Sequence, residues 1–236
     1  MTTPLTIVIT TYAPPGEVGV QRRNAALHTW QTWRDHLKYS GELRVHVADD
    51  GSELVDYTET WWKQLNKRYP LCSIGNLTYS QQARWGVGAS FNAGLREAHK
   101  VSPLTLYAVD DWMLTADLNL DPWTDLLLTN ESLGAIRLGP PHPWLTGQVE
   151  HHDGGRWALR IDRHHYAFSF RPTLFHQRLF DAYGPLDEDI SALESERIYN
   201  DRFCTAGGPD IALALLHPWD HIYTTELSGV TPGGRG

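Results

Sequence analysis

Residues 106 to 114 read Leu106-Tyr107-Ala108-Val109-Asp110-Asp111-Trp112-Met113-Leu114, and this stretch decides how the rest of the chain is interpreted. An apolar run of the kind that forms a buried strand ends in two adjacent carboxylates. Burying one unpaired carboxylate costs free energy, and two neighbouring carboxylates repel each other. We therefore expect a positive group beside Asp110 and Asp111, and a divalent cation is the economical candidate because Mg²⁺ and Mn²⁺ prefer hard oxygen ligands. The alternative is that both side chains leave the sheet into solvent or cap the next helix.

Acidic residues also follow an earlier predicted strand. Leu43–Ala48 predicts a strand that ends in Asp49-Asp50-Gly51-Ser52. Before it, Leu5–Thr10 predicts a central strand, residues 11–16 a loop, and Gln21–Leu37 a helix with apolar residues at helical spacing. This order of elements opens an α/β domain, in which ligands bind at the carboxyl ends of the strands.

The later elements keep the alternation of strands and helices. Further helices are predicted at Leu54–Tyr69, after the glycine-spaced segment as far as Lys100, at Pro122–Thr129, at Thr173–Tyr183 and in the second half of residues 186–203. Further strands are predicted at Leu77–Tyr79, Leu133–Leu138 and Tyr166–Phe170, with a β-hairpin across Thr146–Asp162. The expected fold class is therefore α/β, with one domain over residues 1–236 and the hairpin as an insertion near residues 146–162.

Composition restricts the classes of function. The formal charge of −8 argues against a protein that holds nucleic acid mainly through phosphates, although two arginine groups could form a local basic patch. These groups are Arg22 with Arg23, and Arg156, Arg160, Arg163 and Arg171. The N-terminus lacks the features of a signal peptide, and no apolar stretch approaches the roughly 20 residues of a membrane span. We therefore expect a cytoplasmic protein without a membrane segment.

Nine of the ten tryptophans divide into two sets by their surroundings. Four lie at helical spacing and are predicted to pack in the core: Trp30, Trp33, Trp61 and Trp62. Part of a second set, among polar and turn residues, is expected to form a binding surface: Trp85, Trp112, Trp144, Trp157 and Trp219. A tryptophan ring can stack on a sugar or a base as readily as it packs in a core.

In this order the motifs resemble family 2 glycosyltransferases with the GT-A fold. The resemblance runs from about Thr6 to Phe203 and rests on Ile7–Tyr12, Val47–Ser52, Gly88–Leu95, Asp110 with Asp111, and Tyr183–Glu188. It implies a central, mostly parallel mixed sheet flanked by helices. It also implies a nucleotide-binding half at about residues 1–115 and an acceptor-binding half at about 116–225. The glycine-rich end of the sequence is expected to form a flexible tail at about 226–236.

The resemblance assigns a nucleotide-binding role to seven positions. They are Thr10, Thr11, Tyr12, Asp49, Asp50, Asn92 and Asp110. Thr10 to Tyr12 match the first loop, against the base and ribose, and Asp50 matches the acceptor of a hydrogen bond from the base or ribose. Asn92 matches the segment beside the ribose and diphosphate. Val109 stands where the family motif usually has its first acid, which leaves Asp110 to contact the ribose or to support the metal ligand.

A metal site is implied at Asp111, the position that matches the direct ligand in the family. His217 and His221 are candidate third ligands, because some GT-A enzymes recruit a late histidine; ordinary polar residues of the tail are the alternative. The implied cofactor is Mn²⁺ or Mg²⁺, and the implied donor is a nucleotide sugar, most simply a UDP-sugar.

A catalytic base is implied near the end of the resemblance. The family pattern Gly-Gly-Phe-Asp-Glu, then Glu-Asp and Arg, laid without gaps on Gly184–Arg202, places Ser195-Glu196 at Glu-Asp and Arg202 at Arg. Glu196 is therefore the candidate base, with Glu194 as the fallback if the register shifts. Four side chains are candidates for contacting the acceptor: Trp112, Trp144, Trp157 and Arg202.

Together these residues predict an inverting, metal-dependent glycosyltransferase that acts on a hydroxyl acceptor. The acceptor could be a saccharide, a small molecule, a protein, or a hydroxylated base in DNA. A nucleotidyltransferase is one alternative, but Thr10–Gly16 contains no Lys or Arg to hold phosphates. A non-catalytic carbohydrate- or nucleotide-binding protein is another, and it is favoured if Val109 and Ser195 mark lost chemistry.

Overall fold

A nine-stranded sheet runs through the part of the chain that this computed structural model describes, residues 2–138, 147–152, 156–161, 168–208, 210–215 and 224–226. The strands are β1 (Leu5–Thr11), β2 (Leu37–Lys38), β3 (Leu43–Asp49), β4 (Leu77–Gln81), β5 (Leu104–Val109), β6 (Trp112–Leu114), β7 (Leu118–Asn119), β8 (Leu133–Arg137), β9 (Gly147–His152), β10 (Arg156–Ile161), β11 (Thr173–His176), β12 (Asp210–Leu215) and β13 (Thr224–Glu226). The helices are α1 (Glu17–His36), α2 (Glu59–Arg68), α3 (Val87–His99), α4 (Asp121–Thr129), α5 (Arg178–Tyr183) and α6 (Ala192–Thr205), with a 3₁₀ turn at Ile74–Asn76.

The sheet is mixed, in the order β4-β3-β1-β5-β11-β8-β12-β10-β9. Strands β4, β3, β1 and β5 run parallel, β11 is antiparallel to both of its neighbours, and β12 is again parallel to β8. Thr11 pairs with Asp49 and Thr10 with Val109, so the carboxyl ends of β1, β3 and β5 meet at one edge. The predicted mixed sheet and the β9–β10 hairpin are confirmed.

Helices cover both faces of the sheet. Along β1, Ile7 and Ile9 pack into one hydrophobic core while Val8 packs into a second, because successive side chains of a strand point to opposite faces. Trp30, Trp33 and Trp62 lie buried in the first core as predicted, and Trp61 packs partly buried against it. The second core is mainly aromatic. Its largest buried side chains come from α3, α6, the segment before β11, and strands β5 and β11: Phe91, Tyr199, Phe203, Phe168, Tyr107 and Phe175. None of the described helices combines the length and apolar character that a membrane span requires.

Two predicted elements are wrong. The helix predicted over Thr173–Tyr183 is instead strand β11 followed by the short helix α5, because residues 173–176 fill the gap between β5 and β8 and pair with both. The strand predicted over Tyr166–Phe170 is absent in its described part, residues 168–170. There the Phe168 N–H donates to Asn200 Oδ1 at 2.8 Å, and Asn200 Nδ2 donates to the Phe168 carbonyl at 2.8 Å. A side chain of α6 thus takes the place of a neighbouring strand.

Glycine 94 sets the distance between α3 and β1. A Cβ atom built at Gly94 would lie 2.3 Å from Val8 Cγ1, far inside van der Waals contact. We predict that Gly94→Ala lowers the free energy of unfolding by about 1 to 3 kcal/mol through overpacking. Gly75→Ala is the matched control, since no atom lies within 4 Å of a Cβ at that position. Urea denaturation measures both, and equal stability of the two variants would contradict this packing.

Candidate functional site

Asp110 and Asp111 share one buried arginine. Arg22 Nη2 donates to Asp110 Oδ1 at 2.5 Å, and Arg22 Nη1 donates to Asp111 Oδ2 at 2.7 Å. The three residues are 5%, 1% and 6% exposed, in the order Arg22, Asp110 and Asp111. The positive group expected beside the two carboxylates is therefore present within the chain, on the second turn of α1. Because Arg22 is buried, it cannot contribute to a basic surface patch with Arg23.

The second oxygen of Asp110 is also occupied by protein groups. Thr11 Oγ1 donates to Asp110 Oδ2, and the Tyr57 hydroxyl lies 3.3 Å from the same oxygen and 2.6 Å from Thr11 Oγ1. Tyr57 comes from the loop before α2, which begins later than the sequence predicts. Burial raises the pKa of Asp110 to about 6, against the opposing effect of the Arg22 guanidinium. Asp110 is thus a structural centre of the site, fixed from three segments.

Asp111 differs from Asp110 because only one of its two carboxylate oxygens accepts a hydrogen bond from the described residues. Its Oδ1 atom has no hydrogen-bond partner among the described residues, and its side chain keeps 9% exposure against 0% for that of Asp110. Across the described ranges no group of three or more His, Cys, Asp and Glu side chains is arranged to hold a metal ion. One carboxylate oxygen still suits Mg²⁺ or Mn²⁺ when substrate phosphates supply further ligands. Asp111 fits a metal that is held jointly with a diphosphate.

Asp49 and Asp50 have different surroundings although they are neighbours. Asp49 is buried, and its carboxylate accepts from the Ser52 N–H at 2.8 Å, from Ser52 Oγ at 2.6 Å, and from the Tyr79 hydroxyl. Asp50 is half-buried and accepts from the Gly86 N–H at 3.0 Å; burial raises its pKa. Asp49 therefore closes the turn after β3, while Asp50 lies at the open side of the same turn.

Tyr12 belongs to a cluster at the more exposed side of this edge. The Arg84 guanidinium carbon lies 4.5 Å from the centre of the Tyr12 ring. The Tyr12 hydroxyl and Arg84 Nη1 both donate to Glu53 Oε1, at 3.0 and 3.1 Å. Arg84 and Glu53 were not singled out from the sequence, since no spacing pattern marks them. They give the first loop an adjacent cation that the loop itself lacks.

Glu196, on α6, contacts the backbone of the segment before β11. Its Oε1 atom accepts from the Phe170 N–H at 2.6 Å. The hydroxyl of Tyr107, on β5, lies 2.8 Å from Thr10 Oγ1 on the neighbouring strand β1. Burial raises the pKa of Tyr107, and the negative charges of Glu196, Asp111 and Asp110 raise it further. The Phe170 ring lies 6.2 Å from the Tyr107 ring, so the segment that is hydrogen-bonded to Glu196 packs against β5.

Glu194 lies on a different face of α6 from Glu196. It is exposed, and its Oε1 atom accepts from Arg197 Nη2 at 2.9 Å. Arg202, farther along the helix, donates to the Pro185 carbonyl and to Asp187 Oδ2, both at 2.5 Å. The position of Arg202 thus fixes the segment before α6. Its predicted contact with an acceptor stays a prediction.

Asn92 also holds the segment before α6. Asn92 Nδ2 donates to the Leu186 carbonyl and to Glu188 Oε1, both at 2.9 Å, while Asn92 Oδ1 accepts from the Leu186 N–H at 3.0 Å. The side-chain amide is engaged at both ends by the protein. Asn92 therefore connects α3 to the chain leading into α6, and a contact with the ribose or diphosphate stays a prediction.

The tryptophans predicted for a binding surface differ in solvent exposure where the structure describes them. Trp85 is 53% exposed, whereas Trp112 is buried and the Arg171 guanidinium carbon lies 5.7 Å from the centre of its ring. Trp157 pairs with His151 and Leu215 in the sheet. Trp144, Trp219, His217 and His221 lie outside the described residues, and the acceptor and metal roles predicted for them stay predictions.

Comparison with known proteins identifies the fold. No protein-family model and no curated protein sequence matches the chain significantly. The crystal structure of S. aureus TarS 1–349 in complex with UDP-GlcNAc matches with a TM-score of 0.54 at 14% identity, covering 95% of this chain and 62% of that one. The complex of TarS 1–349 with UDP gives 0.58 at 13% identity, covering 90% and 60%. GalNAc-T7 with UDP, GalNAc and Mn²⁺ gives 0.55 at 10% identity, covering 90% and 42%.

TarS and GalNAc-T7 both have the GT-A fold, and this chain has it too. The expected fold is thereby confirmed. At 10 to 14% identity the likeness shows the fold alone. The chain spans less than two thirds of the length of each of these structures.

The contrast between Asp49 and Asp50 is testable. Asp49→Ala leaves three donors without their acceptor, so we predict a loss of about 2 to 3 kcal/mol in the free energy of unfolding. Asp50→Ala removes an acceptor at a half-exposed position and should cost less than about 1 kcal/mol. Chemical denaturation monitored by tryptophan fluorescence compares them. A larger loss for Asp50→Ala than for Asp49→Ala would show that the roles are reversed.

Proposed function

We propose that this chain is a glycosyltransferase that moves a sugar from a nucleotide sugar to a hydroxyl acceptor. The observation that carries the proposal is that Asp110 and Asp111 follow β5 at the sheet edge where β1 and β3 also end, while Glu196 is hydrogen-bonded to Phe170, whose ring lies 6.2 Å from that of Tyr107 on β5. The GT-A fold adds support, because the TarS structures contain UDP or UDP-GlcNAc and the GalNAc-T7 structure contains UDP. UDP is therefore the nucleotide that we propose for this chain.

The nucleotide is proposed to lie along the carboxyl ends of β1 and β3. Tyr12 offers an aromatic face to the base, and Asp50 offers a carboxylate to a base N–H or a ribose hydroxyl. The diphosphate would then extend toward Asp111, whose Oδ1 atom and hard-ligand chemistry suit a cation shared with phosphate. A divalent cation bound there would stabilise the charge on the departing diphosphate. Residues 1–115 would in this way form the nucleotide-binding half.

Glu196 is proposed as the base. As the acceptor oxygen attacks the anomeric carbon, the bond to the diphosphate oxygen breaks, and the acceptor proton passes to the Glu196 carboxylate. Attack from the face opposite to the diphosphate inverts the anomeric configuration. The hydrogen bond from the Phe170 N–H to Glu196 Oε1 holds the carboxylate in place for this role.

The positions of two arginines bear on whether DNA is the acceptor. Burial of Arg22 removes the first of the two arginine groups that could form a basic patch, whereas the DNA option rests on the second group, around the hairpin. Arg171, from the second arginine group, lies over the Trp112 ring. No described contact favours a nucleotidyltransferase or a non-catalytic binding protein over the transferase.

Nucleotide binding is the first test of this function. We predict that UDP binds the wild-type chain in the presence of Mn²⁺, with a dissociation constant between about 1 μM and 1 mM, the usual range for enzyme substrates. Isothermal titration calorimetry with UDP, in Mn²⁺ and in EDTA, measures it. CMP is the matched control nucleotide. The absence of UDP binding under both conditions would rule out the proposed function.

The role of Glu196 is tested by Glu196→Gln, which keeps an oxygen to accept from the Phe170 N–H but cannot take a proton. We predict unchanged UDP binding and a loss of about 10² to 10⁴ in the rate of UDP release from the UDP-sugar that the wild type hydrolyses. Glu194→Gln is the matched control and should stay within about twofold of wild type, because surface substitutions rarely matter. A loss of activity in Glu194→Gln alone would instead identify Glu194 as the base.

A further inference from the structure

Arg22 is a buried cation directly beside the proposed metal ligand. Its guanidinium contacts both Asp110 Oδ1 and Asp111 Oδ2, and its exposure is 5%. The cluster of two carboxylates and one guanidinium has a net charge of −1 when both acids are ionised. The resemblance to glycosyltransferases assigns no role to Arg22, and the proposed transfer of the sugar does not require it.

A metal ion on Asp111 Oδ1 would lie close to this guanidinium. The two oxygens of one carboxylate are neighbours, and the second of them, Oδ2, is 2.7 Å from Arg22 Nη1. Positive charges at such short separation repel strongly in a partly dehydrated site. Asp110 offers no further ligand, because Arg22, Thr11 and Tyr57 contact its two oxygens. The described protein groups alone therefore give a divalent cation one oxygen ligand and one opposing charge.

A diphosphate changes this balance. Its negative charges attract the cation and its oxygens complete the coordination. We propose that Arg22 acts as the internal counter-cation of the Asp110–Asp111 pair and thereby makes metal binding conditional on the nucleotide. This inference rests on the proposed function for its role in donor binding. In this proposal Arg22 acts through Asp111 and is therefore a positioning residue.

The test measures Mn²⁺ binding without nucleotide. In the Arg22→Met variant two carboxylates remain without their counter-cation, so Mn²⁺ alone should bind about tenfold or more tightly than to wild type, in line with the coupling between groups in direct contact. Electron paramagnetic resonance of free Mn²⁺ gives the affinities, and thermal unfolding in EDTA and in Mn²⁺ gives the stabilisation. The melting temperature of the variant should rise on adding Mn²⁺, while that of wild type should stay nearly constant.

Matched controls separate this effect from a general loss of charge. Arg23 is the next residue of α1 and pairs with the exposed Asp56, so Arg23→Met should leave the response to Mn²⁺ unchanged. The double variant Arg22→Met/Asp111→Asn should lose the gain in Mn²⁺ affinity. If Arg22→Met does not fold in EDTA, Arg22→Lys serves instead: one ammonium cannot bridge both carboxylates as the guanidinium fork does, and its Mn²⁺ affinity should exceed that of wild type.

Equal Mn²⁺ affinity in wild type and in Arg22→Met, or in wild type and Arg22→Lys where only the latter folds, would overturn the inference. Tight Mn²⁺ binding to wild type without nucleotide would do so as well. These outcomes are distinct from failure of the proposed function, which is measured with UDP on the wild-type chain. A chain that binds no UDP but gains Mn²⁺ affinity in Arg22→Met would keep the counter-cation role and lose the transferase proposal.

Discussion

The guanidinium of Arg22 between Asp110 and Asp111 is the contact on which the site depends. It lets a largely buried strand end in two carboxylates, because each acid has a positive partner within hydrogen-bond distance. Breaking a buried ion pair by removing one partner costs about 3 to 5 kcal/mol, since the remaining charge is left in a dehydrated place. The same contact joins α1 to the end of β5. Thr11 and Tyr57 then complete the surroundings of Asp110 from two further segments.

The opposite side of the site is built by side chains that replace a strand ladder. Asn200 pairs with both backbone groups of Phe168, and Glu196 accepts from the Phe170 N–H. Asn92 and Arg202 fix the segment before α6 in a similar way. The position of Glu196 relative to β5 therefore depends on a network of polar contacts. Such a network holds one geometry only when all of its members are present.

The sequence predicted the parts of the structure that follow from local patterns. The β-branched run of β1, the acidic ends of β3 and β5, and the β9–β10 hairpin all carry a signal within a few residues. Strand β11 was missed because a four-residue strand runs into α5 without a glycine or proline between them, so tertiary pairing decides its structure. The sequence places Arg22 in a candidate basic patch at the surface because nothing near it in the chain marks it as buried. Its partners lie 88 and 89 residues away in sequence, and only the folded sheet brings them together.

We propose, as the basis of this function, that a nucleotide binds at the carboxyl ends of β1, β3 and β5, between Asp50, Asp111 and Glu196. A crystal structure of the wild-type chain grown with saturating UDP and Mn²⁺ tests it most directly. The account predicts density for the uridine beside Tyr12 and Asp50, with the diphosphate near Asp111 and on the same side of the sheet edge as Glu196. Density for UDP at any other surface, with this edge filled only by solvent, would contradict it.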